Sequence, residues 1–164
     1  MSTMKRKDFF QLLQPLTDKL YRMASNLIPD DLQAEQLVID SLNAYLIKEK
    51  SRILAAKDFD TLTKKDIQIQ RRLHFKGILR YMGEIGARRS NQLSDQMKFN
   101  SPGEFSSFYS LAPQVRLVMS LRFDFQFTVE EIEDITKMAR YEVIEKLHNG
   151  RFLLLNEFNQ AAQL

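Results

Sequence analysis

The sequence predicts an all-α protein built as two small helical domains joined by a linker. Three observations carry this. Apolar residues recur at the three-to-four-residue spacing of amphipathic helices through nearly the whole chain. No segment shows the two-residue alternation of a half-buried strand. One polar stretch, from Ser90 to Gly103 and ending in Pro102-Gly103, breaks the helical period. The predicted divisions are residues 1–90, a linker over 91–104, and residues 105–164.

The elements follow in order. A first helix spans about Asp8–Leu27, with Phe9, Leu12, Leu13, Leu16, Leu20, Met23 and Leu27 apolar; Pro15 should kink it. Ile28-Pro29 ends it, and Asp30-Asp31 are placed to cap the next helix. That helix runs from Asp31 to about Lys50, with Ala34, Val38, Leu42, Tyr45 and Leu46 on one face. A third covers roughly Lys64–Arg89, with its clearest stripe at Phe75, Ile78, Leu79, Met82 and Ile85.

After the linker a short helix is expected near Glu104–Ser110. The next helix begins around Pro113, whose missing N–H is harmless in a first turn. Thr128 reads as an N-cap, with Glu131 three residues on completing a capping box and Ile132 and Ile135 facing inward. A last helix starts near Arg140 and carries Val143, Leu147 and Leu154 inward. The three together have the layout of a helix-turn-helix, a DNA-reading shape.

Composition narrows the chemistry. The 164 residues contain no cysteine, which excludes disulfides, thiolate metal sites and cysteine nucleophiles. His74 and His148 are the only histidines, and no metalloprotease, serine-hydrolase or phosphate-loop motif occurs, so no enzyme activity, cofactor or metal site is expected. Glu130, Glu131, Glu133 and Asp134 crowd a helix start, where dipole compensation explains them better than metal binding. With no visible signal peptide or membrane-spanning run, a cytoplasmic protein without membrane insertion is expected.

The net charge of +3 is unevenly spread. Residues 48–98 hold 13 basic against 6 acidic residues, whereas residues 99–164 hold 6 against 9. A basic middle can meet a polyanion. Arg72, Lys76 and Arg80 repeat every four residues along one flank of the third helix, and Arg88 and Arg89 extend them; such residues can track a phosphate backbone. Tyr81 beside them could stack on an unpaired base or pack at the helix edge. On the last helix the outward set is expected to include Arg140, Glu142, Glu145, Lys146, Asn149 and Arg151. The competing structural reading is a solvated basic helix and a three-helix bundle whose carboxylates repel phosphate.

The residues now assembled resemble the sigma factors of bacterial RNA polymerase, specifically the two-domain extracytoplasmic-function type. Leu111, Pro113, Arg116, Val118, Leu121, Arg122 and Phe123, followed by Phe127, Thr128, Glu130, Glu131 and Ile132, match that family's helix-turn-helix pattern, as do Val143 and Leu147-His148. Ala34-Glu35-Gln36-Leu37-Val38-Ile39-Asp40 is similar to its polymerase-binding stretch, and Phe75 and Leu79 fit its promoter-melting helix. The resemblance implies core RNA polymerase and promoter DNA as partners, with an anti-sigma factor as a candidate third. It assigns polymerase binding to Gln36, Leu37, Val38 and Asp40. DNA binding would fall to Arg72, Lys76, Arg80, Arg88, Arg89, Arg140, Lys146 and Arg151.

The chain also departs from the family. Ile78 and Ile85 stand where Trp and Asn are usual, Glu133 where a small residue lets helices approach, and Lys137 where glycine usually makes the turn. Glu142 and Glu145 replace common hydroxyl residues. Two further readings follow: a sigma-like interaction protein that has lost promoter recognition, and a self-sufficient helix-turn-helix repressor. The acidic balance of residues 99–164 argues against the repressor.

Overall fold

A computed structural model describes residues 5–54, 59–96 and 106–162. The described residues form an all-α protein. The predicted first helix divides at its proline into α1 (Arg6–Leu13) and α2 (Thr17–Leu27), joined by a 3-10 turn over Gln14–Leu16. Ile28 is extended, as the residue before Pro29 must be, and ends α2. Asp30 accepts a hydrogen bond from the Gln33 N–H at 2.8 Å and so caps α3 (Asp31–Lys48). A one-turn helix α4 (Lys50–Leu54) follows.

The central element is α5 (Lys64–Gln96), a helix of 33 residues and so about 50 Å long. Of its predicted stripe, Phe75, Ile78, Leu79 and Met82 are buried and Ile85 is half-buried. The helix continues through residues 91–96, the first part of the predicted linker, because nothing in Asn-Gln-Leu-Ser-Asp-Gln forbids helical backbone. Residues 97–104 of that linker lie outside the described residues.

Beyond it come α6 (Ser106–Ser110), α7 (Pro113–Met119), a π-helical turn over Ser120–Asp124, α8 (Val129–Thr136) and α9 (Arg140–Ala161). The capping box is present: the Thr128 hydroxyl accepts from the Glu131 N–H at 3.2 Å, and Glu131 accepts from the Thr128 N–H at 3.0 Å. Ile132, Ile135 and Val143 are buried between α8 and α9. Lys137 makes the turn in the left-handed region, with φ 58° and ψ 19°. A side chain there is strained by roughly 1 kcal/mol. Lys137→Gly is therefore expected to raise stability by up to about 1 kcal/mol, read as an upward shift of the urea midpoint.

The segments on either side of the predicted linker share one apolar core, with α5 packed against α1, α2 and α3 and against α7 and α8. Phe75 of α5 lies 5.9 Å from the Phe125 ring and 6.1 Å from the Phe127 ring. At Gly83 a Cβ would come within 2.9 Å of Leu117, so the glycine lets α7 cross α5 closely. The sequence signals were local and gave each helix its own apolar face. They did not show that several of those faces meet on α5.

Buried polar groups reinforce the arrangement. Arg116 is 4% exposed. It donates to the carbonyls of Leu27 (2.8 Å), Tyr109 (3.0 Å) and Leu111 (2.5 Å) and to the Ser90 hydroxyl (2.7 Å). One guanidinium thus occupies the otherwise unbonded C-terminal carbonyl of α2 and ties it to α5 and to the α6–α7 turn. A second buried pair joins α3 to α5, with the Tyr45 hydroxyl 2.6 Å from Nδ1 of His74. At Gly77 a Cβ would overlap the Tyr45 ring, at 2.4 Å from its Cε2.

Candidate functional site

Of the predicted phosphate-tracking residues of α5, Arg72 and Lys76 lie on the flank that α8 covers. The Arg72 guanidinium is 2.5 Å from Oε1 of Glu131, and the Lys76 ammonium is 2.9 Å from the same oxygen. Partial burial raises the Glu131 pKa, but the Thr128 N–H and the two cations outweigh that and hold the carboxyl down at about 2. Glu131 therefore caps α8 and anchors it to α5 at once. Arg72 also lies over the Phe127 ring, 5.1 Å from its centroid.

The remaining cations are divided. Arg80 is 3.7 Å from Glu84 one turn further along its own helix. Arg88 is exposed. Arg89 is held 2.6 Å from Asp40 of α3, and that contact draws the Asp40 carboxyl below its ordinary range. One residue assigned to DNA is thus paired with one assigned to polymerase. Tyr81 is 8% exposed and packs in the core, with its hydroxyl 3.3 Å from Glu49 and Lys48 over its ring. Packing, rather than base stacking, accounts for it.

The assigned polymerase-binding stretch on α3 also divides. Gln36 is exposed and donates to Asp40 at 2.9 Å. Leu37 and Val38 are core residues, 0% and 9% exposed, so their assignment to a contact surface is corrected. Leu37 turns toward α2 and α5, lying beside Leu27 and Gly86, and Val38 belongs to the same apolar core. The outer face of α3 instead presents Leu32, Gln36, Ile39, Asn43 and Ile47, of which Leu32 is 77% and Ile47 76% exposed. Their three-to-four-residue spacing was visible in the sequence. What was missing was which of two apolar stripes faces the core.

On α9 the inward residues Val143 and Leu147 are buried, as predicted, and Leu154 is half-buried. Arg140 lies 3.6 Å from Glu133 and 3.9 Å from Glu130, both on α8. Lys146 is half-buried, and Arg151 lies over the Phe123 ring at 4.9 Å. Glu142 folds back to accept from the Ala139 N–H at 2.7 Å, capping its own helix. The exposed face expected to carry Arg140, Glu142, Glu145, Lys146, Asn149 and Arg151 also carries Tyr141, Ile144, Phe152 and Leu155. Large apolar groups beside Glu145 are poorly suited to phosphate and better suited to another protein surface.

No helix among the described residues is long and apolar enough to cross a membrane. In comparisons with known proteins, no family model matches the chain and no curated protein matches it.

Proposed function

We propose that this chain is a sigma-factor-like regulatory protein that binds core RNA polymerase and does not read promoter DNA in the arrangement described above. The observation that carries the reading is the Arg72–Glu131–Lys76 cluster, in which two cations suited to phosphate are engaged by one carboxylate of the neighbouring helix. The large exposed apolar groups on the outer face of α9 support it. Polymerase binding is assigned to the outer face of α3, with Leu32, Ile39 and Ile47 as apolar contacts around Gln36.

Co-purification with core polymerase at low salt tests the reading, and absence of binding there would sink it. Ile39→Glu is expected to weaken binding at least about tenfold while leaving the urea midpoint unchanged, since Ile39 is 51% exposed. Leu37→Ala is expected to do the reverse: a stability loss of about 3 kcal/mol with no specific loss of affinity in the folded fraction.

The reading in which the chain selects promoters is favoured by one feature, the α8–α9 pair with its capping box and left-handed turn. Glu131→Gln separates the two readings. It frees Arg72 and Lys76, so duplex DNA affinity is expected to rise. The slope of log affinity against log salt should steepen by about 1.8 for two added phosphate contacts. Fluorescence anisotropy at several salt concentrations measures both. Strong sequence-specific binding by the unmodified protein with polymerase would favour promoter selection.

A further inference from the structure

A crevice of about 350 Å³ opens where α2, α5 and the segment leading from α7 into α8 meet. Four cations line it: Lys19 and Arg22, neighbours on one face of α2, and the adjacent Arg71 and Arg72 on α5. Among the described residues Asp124 is the one carboxylate in the lining, and Arg22 holds it at 3.1 Å. Glu131 engages Arg72 from outside the lining. Arg71 donates its Nε–H to the Leu12 carbonyl at 2.8 Å. Among the described residues neither Arg71 nor the exposed Lys19 has a carboxylate partner. Setting Asp124 and Glu131 against the four cations leaves two positive charges in excess at one hollow.

We propose that this crevice binds a nucleoside diphosphate, with the diphosphate between the cations of α2 and α5 and the base against the aromatic and amide lining. Excess positive charge in a concavity draws anions, and guanidinium forks donate to phosphate oxygens in pairs. The arginines are seated in advance. Arg22 lies over the Phe125 ring, 5.0 Å from its centroid, and Arg72 over the Phe127 ring at 5.1 Å. Groups held in place before the ligand arrives lose less freedom on binding.

Size and lining favour a nucleotide over a bare ion. Small-molecule sites run from roughly 300 to 1,000 Å³, and this crevice is at the lower end. Phe75, Phe125 and Phe127 contribute apolar lining that an inorganic ion would leave unused. Gln68 and Gln126 add amides that both donate and accept, as a base edge does. Gln126 also keeps a left-handed backbone, φ 58°. That costs a residue with a Cβ roughly 1 kcal/mol, and such strain concentrates at ligand sites. Two cations on each of two walls suit two linked phosphates better than one. The resemblance assigns Arg72 to DNA but not Lys19, Arg22 or Arg71. None of this rests on the proposed function, since binding is measured on the isolated chain without polymerase or DNA.

Isothermal titration calorimetry of the full chain with ADP, GDP, AMP and inorganic pyrophosphate, at constant ionic strength, is the test. One equivalent of ADP or GDP is expected to bind with a Kd of about 10–100 µM, and AMP at least about tenfold more weakly. Pyrophosphate identifies the source of the diphosphate. Binding about tenfold weaker than that of the nucleotides supports a nucleoside carrier. Equal affinity overturns the base contact and assigns the site to the inorganic ion. Lys19→Glu should weaken nucleotide binding at least about tenfold with the urea midpoint unchanged, because Lys19 is exposed. Arg88→Glu makes the same change in net charge about 24 Å further along α5 than Arg72 and should alter the affinity less than about twofold. No saturable binding of ADP or GDP up to about 1 mM overturns the proposal. So does an equal loss in the two variants, which would mark a general attraction to basic surface.

Discussion

Arg116→Met is expected to destabilise the protein by about 3 kcal/mol, with a lower urea midpoint and a single unfolding transition. The methionine fills similar space but leaves the Leu27, Tyr109 and Leu111 carbonyls and the Ser90 hydroxyl without their shared donor. A buried polar group left unpaired costs about 1–3 kcal/mol. Several are orphaned here, and relief from desolvating the guanidinium offsets part of the sum. Arg116→Lys should restore little, because one ammonium cannot reproduce a planar fork aimed at four acceptors. Far-UV circular dichroism against urea reads both variants. Two separate transitions, with only the later segment weakened, would contradict the role of Arg116 in joining α2, α5 and α7.

The second large effect is on acid stability. Burial, followed by the nearby Arg52 charge, pushes His74 down to about 4 from its ordinary 6.5. Between those values the unfolded chain takes up a proton that the folded chain refuses. Stability therefore falls as pH drops from about 6.5 to about 4, at up to about 1.4 kcal/mol per unit, or about 3 kcal/mol over the window. Urea melts at half-unit pH steps should show this slope, and His74→Gln should flatten it. Glu131 gives a separate, lower window. Its carboxyl is held at about 2 against an ordinary 4.5, so its contribution is present above 4.5 and is lost as pH falls toward 2. Glu131→Gln should leave the upper window in place.

Particular residues show what could be read in advance. Asp30, Pro15, Thr128 and Glu131 act within a turn or two of their own position, so their capping and breaking roles follow from sequence spacing. The buried stripe of α5 was legible for the same reason. The candidate site was less legible. Arg72 and Lys76 looked free because the carboxylate that holds them is more than fifty residues away. Leu37 and Val38 matched a binding motif, yet a helix with two apolar stripes does not declare which is inside.

The sequence by itself determined the all-α class, most helix boundaries to within a few residues (the end of α5 excepted), the caps and the uneven charge. These depend on local backbone preference and on a repeat of 3.6 residues. Tertiary structure alone decided that elements before and after the predicted linker close on one helix, that Arg116 bridges them, and that the basic flank meets Glu131. It also decided which apolar stripes of α3 and α9 remain outside. Those outcomes depend on contacts between residues far apart in the chain, where burial and ion pairing are fixed by the partner each face finds rather than by the pattern it carries.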